Sequence, residues 1–270
     1  MRKSTISKML VVTMLLSTLF IPMGGNRAIA SDDPDVTIIQ STNEPTNQDV
    51  VITVETSDDL SGIREIILPD GSKSTESKIT YIVSENGSYT FKAIDNASNE
   101  TVGIVEITNI FKEKPKLTLT PSTTEPTNQD IVVDVKATGR GIGIKEIVLP
   151  DETKIEGDEA QFKVTENGSY TFKAIDVAGN EVEETIEITN IDKVLPVITI
   201  EPYETNWTNK DIAVKATVNK GTLNQESYIF TENGSFTFIA TDEYGNMVEK
   251  VITINNIDKI KPKMKIIVGK

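Results

Sequence analysis

The residues best equipped for chemistry in this chain sit in short acidic and amide-rich segments that recur: Asp95-Asn96-Ala97-Ser98-Asn99, Asp176-Val177-Ala178-Gly179-Asn180 and Asp242-Glu243-Tyr244-Gly245-Asn246. Asp and Asn oxygens clustered on a turn are the hard ligands that calcium takes. The spacing, however, lacks the alternating acidic positions and the closing bidentate Glu of an EF-hand loop. A hairpin that needs Gly or Asn at positive φ explains the same residues, and a turn is the expectation. A second set of oxygens, Asn190 and Asp192 with Asn256 and Asp258, marks places where one part of the chain gives way to the next. These are weak calcium candidates, because the matching stretch Asn109-Ile110-Phe111-Lys112 has Phe in place of the Asp. Linker chemistry, a strand end followed by Lys and then Pro, covers all three, and no cofactor is expected.

Enzyme chemistry has few parts to draw on. His and Cys are both absent, which removes thiol nucleophiles, Ser-His and Cys-His pairs and the usual zinc sites. Carboxylate pairs such as Asp58 with Asp59 or Glu183 with Glu184 remain. Catalytic carboxylates must face one another across a cleft, whereas neighbours on a strand point to opposite faces. Solvated surface charge is therefore the reading, and no catalytic residue is expected. Trp207, the only Trp, lies in a loop with Tyr203; the pair could stack on sugar, but stapling a junction between units is preferred. Asn86-Gly87-Ser88 matches a glycosylation sequon that a turn explains equally well.

The elements that must carry these residues are strands. Glu85-Asn86-Gly87-Ser88-Tyr89-Thr90-Phe91, Glu166-Asn167-Gly168-Ser169-Tyr170-Thr171-Phe172 and Glu232-Asn233-Gly234-Ser235-Phe236-Thr237-Phe238 each join an Asn-Gly turn to an alternating run, the pattern of a half-buried strand. Thr46-Asn47-Gln48-Asp49, Thr127-Asn128-Gln129-Asp130 and Thr208-Asn209-Lys210-Asp211 recur at equal intervals, so the chain is a tandem array. The interval from Asp211 to Glu232 is shorter than its two counterparts.

Repeat 1 is placed at 31–112, repeat 2 at 113–193 and a shortened repeat 3 at 194–260, with 261–270 a stub of a further repeat or a disordered tail. Repeat 2 reads as about seven short strands, and no stretch has helical periodicity with caps at both ends. The expected fold is all-β: tandem two-sheet Greek-key sandwiches, the third one shortened. Repeat 3 has no counterpart of Ile144-Lys145-Glu146-Ile147-Val148-Leu149, so its sheet should be a strand narrower and its stability lower.

Residues 1–30 have the three parts of a secretory signal: Arg2, Lys3 and Lys8, an apolar run from Met9 to Met23, and Ala28-Ile29-Ala30 as the cleavage site. The expectation is a secreted or extracellular protein without a membrane span, cell-surface associated in one reading. The formal net charge of −14 grows more negative once Arg2, Lys3, Lys8 and Arg27 are removed. A field of that sign repels nucleic acid and anionic lipid. An exported chain without Cys has no disulfides, so each repeat must be held by its apolar core.

The run Glu166 to Phe172, followed by Ala174-Ile175-Asp176-Val177-Ala178-Gly179-Asn180 and by Ile188-Thr189-Asn190-Ile191-Asp192-Lys193, resembles the bacterial Ig-like repeats of secreted and cell-surface proteins of Gram-positive type. The resemblance covers 35–262. It implies a non-enzymatic, monomeric extended array used as spacer or adhesive module, with a cell-wall or host surface polymer as partner. The alternative is an accessory carbohydrate-binding component of a secreted polysaccharide-acting system. The comparison also implies a tyrosine corner at Tyr89 and Tyr170, with Phe91 and Phe172 where Ig domains place the second disulfide Cys. Repeat 3 has Phe236 at the corner and Phe238 in the core position. Self-catalysed Lys-Asn cross-links occur in some Ig-like adhesins, but Lys92 and Lys173 alternate away from the core Phe residues and Ile239 replaces them in repeat 3.

Overall fold

The computed structural model describes residues 33–266; the signal segment lies outside them. Every element among the described residues is a strand. The chain divides into two compact units, 1–118 with 136–159 and 172–184, and 119–135 with 160–171 and 185–270.

The first unit contains the whole of repeat 1. Strands β1 (Asp35–Gln40), β2 (Val50–Ser57) and β5 (Lys78–Val83) form one sheet in the order β1-β2-β5. Strands β3 (Ile63–Ile67), β4 (Lys73–Ser74), β6 (Gly87–Asp95) and β7 (Glu100–Ile107) form the other, in the order β4-β3-β6-β7. The chain changes sheet after β2, after β4 and after β5, a crossed arrangement of antiparallel strands of the Ig type. Alternation sets the inner faces: Val50, Ile52, Val54 and Thr56 of β2 are buried while the residues between them are not. Ile52, Ile66, Phe91 and Ile107 are among the buried residues of one hydrophobic cluster. Each such side chain contributes about 1.5–3 kcal/mol by leaving water, which is what a repeat without disulfides must rely on. The same unit holds most of a sheet from repeat 2, β10 (Ile144–Val148), β11 (Lys154–Glu156), β13 (Gly168–Asp176) and β14 (Glu181–Ile188), in the order β11-β10-β13-β14.

The second unit holds most of the remaining repeat 2 sheet, β8 (Lys116–Pro121), β9 (Ile131–Thr138) and β12 (Glu159–Val164), in the order β12-β9-β8. Repeat 2 thus reproduces the seven strands and the strand order of repeat 1. Repeat 3 is built from two three-stranded sheets, β15 (Ile198–Ile200), β16 (Ile212–Val218) and β18 (Ser227–Phe230) against β17 (Thr222–Leu223), β19 (Gly234–Thr241) and β20 (Met247–Ile254). Its core cluster includes Ile212, Val214, Phe230 and Phe238.

One expectation about repeat 3 needs correction. The strand beside the central Phe strand is not lost, since β17 pairs with β19 through Thr222↔Thr241 and Leu223↔Ala240. What is lost is the narrow outer strand that β4 and β11 supply elsewhere, so the sheet is one strand narrower for a different reason. Gly221 makes the shortcut: its φ is +80° and a Cβ there would collide with the Thr241 carbonyl oxygen, so only Gly brings the chain this close to β19. After Ile257 no further strand forms among the described residues, and 261–266 are exposed.

Candidate functional site at the repeat junctions

The recurrent Asp turns close on themselves. Asp176 Oδ1 accepts the Asn180 backbone N–H at 2.8 Å, and its Oδ2 accepts the Asn180 side-chain amide at 2.8 Å. Asp95 with Asn99 (2.7 and 2.8 Å) and Asp242 with Asn246 (2.8 and 3.0 Å) repeat the arrangement. The fourth residue of each turn has positive φ: Ser98 at 76°, Gly179 at 90° and Gly245 at 83°. All three carboxylates are buried, and a buried charge is tolerated only when hydrogen-bonded in this way. Both oxygens of each carboxylate are thus engaged within its own turn.

The second proton of the same Asn amide reaches out of the repeat. Asn180 Nδ2 donates to the Phe111 carbonyl at 2.9 Å, inside the first unit, and Asn246 Nδ2 donates to the Asp192 carbonyl at 2.8 Å, inside the second. At the first junction a return contact is made: the Asn47 backbone N–H donates to Ala178 O at 3.1 Å and Asn47 Nδ2 to Gly179 O at 2.9 Å. Asn47 belongs to the Thr-Asn-Gln-Asp segment of repeat 1, so two recurrent motifs of adjacent repeats grip each other. Asn180 and Asn246 are only 7% and 3% exposed.

The linker is fixed from its other side as well. Asn86 of the Glu-Asn-Gly turn donates through Nδ2 to Ile110 O and accepts through Oδ1 from Ile110 N–H, both at 2.9 Å. Its amide thus imitates a strand neighbour. Asn167 does the same to Ile191, both at 2.9 Å, and Asn233 to Ile257 at 3.0 and 2.8 Å. Each of these isoleucines is buried and bridges in parallel to the Thr of the Thr-Asn segment: Thr46↔Ile110, Thr127↔Ile191 and Thr208↔Ile257. The linker Lys then pairs with the Asp closing that segment, Lys112–Asp49 at 2.7 Å, Lys193–Asp130 at 2.5 Å and Lys259–Asp211 at 2.6 Å.

The weak calcium candidates fall within this frame. Asn190 turns its amide nitrogen to Glu125 O at 2.7 Å and Thr123 O at 3.5 Å, and Asn256 turns its own to Asn206 O at 2.6 Å. Asp258 Oδ1 accepts the Ile260 N–H at 2.8 Å. Asp192 Oδ1 accepts the Val194 N–H at 2.8 Å, while Oδ2 takes Lys220 Nζ at 2.7 Å. Lys220 also reaches Asp242 Oδ2 at 2.9 Å, so one ammonium joins the linker to the turn of repeat 3. Burial pushes the Asp242 carboxyl up, but the Asn246 amide, the Lys220 ammonium and the Asn246 backbone N–H outweigh it and hold the pKa at about 2. The hydrogen bonds that Lys220 donates to Asp192 and then to Asp242 raise its pKa, and the Lys220 bond lowers that of Asp192. Amide formation would need a neutral amine and a protonated acid, and this cluster stabilises the opposite charge states. A cavity of about 490 Å³ lined by Lys220, Gly221, Thr241, Asp242 and Tyr244 lies beside it.

The remaining sequence candidates are accounted for individually. The Tyr89 hydroxyl donates to Glu85 O and that of Tyr170 to Glu166 O, both at 2.8 Å. Phe91 and Phe172 are buried. Phe236, which has no hydroxyl, stacks on Tyr228 with ring centroids 4.0 Å apart and 13° between planes, and Phe238 is buried beside it. Asp58 caps a turn, accepting the Ser61 and Gly62 N–H groups at 2.6 Å; these hydrogen bonds, led by Gly62, lower its pKa. Glu183 and Glu184 are exposed. Lys92 pairs with Glu100 at 2.8 Å and Lys173 with Glu183 at 3.0 Å. Trp207 is 75% exposed. It lies in the loop just before the Thr208–Ile257 bridge. Sequence reasoning missed the role of Asn86, Asn167 and Asn233, although their equal separation from the linker Ile was a visible signal.

No protein-family model and no curated protein matches the chain. Similar solved structures include one from work on host cell surface retention of a 1.5-MDa bacterial ice-binding adhesin, at 14% identity, covering 78% of this chain and 91% of that one, with a TM-score of 0.37. Another is a tetra-tandem repeat in the extending region of a large adhesion protein, at 14% identity, 84% and 75% coverage and a TM-score of 0.26. A third is SGBP-B of the Bacteroides ovatus mixed-linkage glucan utilization locus, in complex with a mixed-linkage heptasaccharide, at 13% identity, 84% and 71% coverage and a TM-score of 0.21. No helix among the described residues is long and apolar enough to cross a membrane.

Proposed function

We infer that the chain is a non-enzymatic, exported array of Ig-like domains, of the bacterial Ig-like repeat family, that acts outside the cell or at its surface as spacer and adhesive module. The observation that carries this reading is where the chemically capable residues are used. The buried Asp residues, their Asn partners and Lys220 are spent on turns and linkers, so the sequence invests its polar chemistry in joining repeats. The partner is a cell-wall or host surface polymer. Incubating the signal-free protein with intact cells and with a glycan array tests this directly. Cell binding with no sugar preference, and no turnover of polysaccharide or peptide substrates, is expected; hydrolysis of any substrate would overturn it.

A second reading is favoured by the 75% exposure of Trp207: an accessory carbohydrate-binding component in which the indole stacks on a sugar face. Its signature is glycan binding that Trp207→Ala abolishes.

A further inference from the structure

The end of repeat 3 that carries the Asn256–Lys259 linker is assembled like the ends of repeats 1 and 2. Thr208 bridges Ile257 as Thr46 bridges Ile110, Asn233 clasps Ile257 as Asn86 clasps Ile110, and Lys259 pairs with Asp211 as Lys112 pairs with Asp49. At the two earlier ends this assembly receives the Asp-x-x-Gly-Asn turn of the following sandwich. The groups that do so are a linker carbonyl, Phe111 O or Asp192 O, which accepts the turn's Asn amide, and at the first junction Asn47, which donates to the turn's carbonyls.

The corresponding groups of repeat 3 are the Asp258 carbonyl and Asn209. Asn47 and Asn128 are half-buried, whereas Asn209 is exposed; Pro115 and Pro196 are buried, whereas Pro262 is exposed. Two further features mark this end. Trp207 stands where repeats 1 and 2 have Pro45 and Pro126, and together with Ile260, 83% exposed, it places large apolar surface at the rim. Asp258 also matches Asp192, whose carboxylate accepts Lys220 from the sandwich docked on it.

We propose that this end of repeat 3 is a docking face for another Ig-like sandwich, one that offers an Asp-x-x-Gly-Asn turn to Asn209 and the Asp258 carbonyl and a lysine to the Asp258 carboxylate. The occupant is defined by the two occupied copies of the same face, and its chemistry is that of repeat 3's own turn side: Lys220, Asp242, Gly245 and Asn246. The exposed indole then becomes interface, an aromatic anchor of the kind that dominates small contact areas.

The test is a chain in which residues 194–259 are duplicated in tandem after Lys259, with Trp207→Phe in the added copy so that the original Trp207 is the sole reporter. Docking predicts a blue shift of its emission and a loss of iodide quenching. Both should revert when the added copy carries Lys220→Met with Asn246→Ala while its strands stay protected from hydrogen exchange. Protected strands in the unaltered added copy with unchanged Trp207 emission would overturn the proposal. So would an added copy whose strands exchange freely, because repeat 3 is folded against the matching face of repeat 2. Shielding of Trp207 by a soluble glycan, without any effect of the added sandwich, would assign the face to sugar and overturn it too.

Discussion

Asn180 shows how much one amide can carry. Its backbone N–H and one side-chain proton hydrogen-bond the two oxygens of the buried Asp176, and its other side-chain proton holds the linker carbonyl of the preceding repeat. Asn180→Ala leaves a carboxylate and a carbonyl short of donors, and we expect it to cost about 1–3 kcal/mol in urea melts. The tyrosine corner separates two kinds of contribution. Tyr170→Phe removes one hydrogen bond and should cost about 1 kcal/mol, whereas Phe172→Ala empties a core position and should cost about 3–5 kcal/mol; equal losses in denaturant melts would refute the assignment. The Lys220 bridge adds a pH signature. Asp242 has a folded pKa of about 2, below the unfolded carboxyl near ~3.9, so its contribution is complete above the latter and is lost as pH falls through the former. Lys220 is raised, so its contribution is complete below its unfolded value and is lost as pH rises through the folded one. Lys220→Met should therefore move the acid unfolding midpoint to higher pH. At this scale the sequence was partly legible. The tyrosine hydroxyl and the positive φ of Gly179 follow from residue type and local spacing, but the second bond of Asn180 depends on a carbonyl far away in the chain, which no local pattern announces.

Among the elements, the shortened sheet of repeat 3 is the informative case. Deleting the outer strand leaves β17 with two residues against β19, and Gly221 is the residue that permits it. Gly221→Ala meets both a left-handed φ and the Thr241 backbone, so repeat 3 should unfold at lower denaturant while repeat 1 is unmoved. Limited proteolysis checks this, with earlier cleavage inside 194–260 as the expected result. Strand positions were readable because burial alternates along them, as in β2 and β9. The identity of the missing strand was not. A two-residue strand such as β17 has no periodicity to detect, and its existence is fixed only by pairing with a distant partner.

For the molecule as a whole, the junctions explain why Asp, Asn and Lys recur in fixed places. They serve a join made through the protein's own amides and ammonium groups. The most direct measurement is 15N relaxation on the signal-free protein, which reads the tumbling of each element. Repeat 1 and the β11-β10-β13-β14 sheet should share one correlation time, unchanged by EDTA or added calcium, and the pair Asn47→Ala with Asn180→Ala should split it in two. A correlation time that splits on adding EDTA to the unaltered protein, or that stays single in the double variant, would contradict the account.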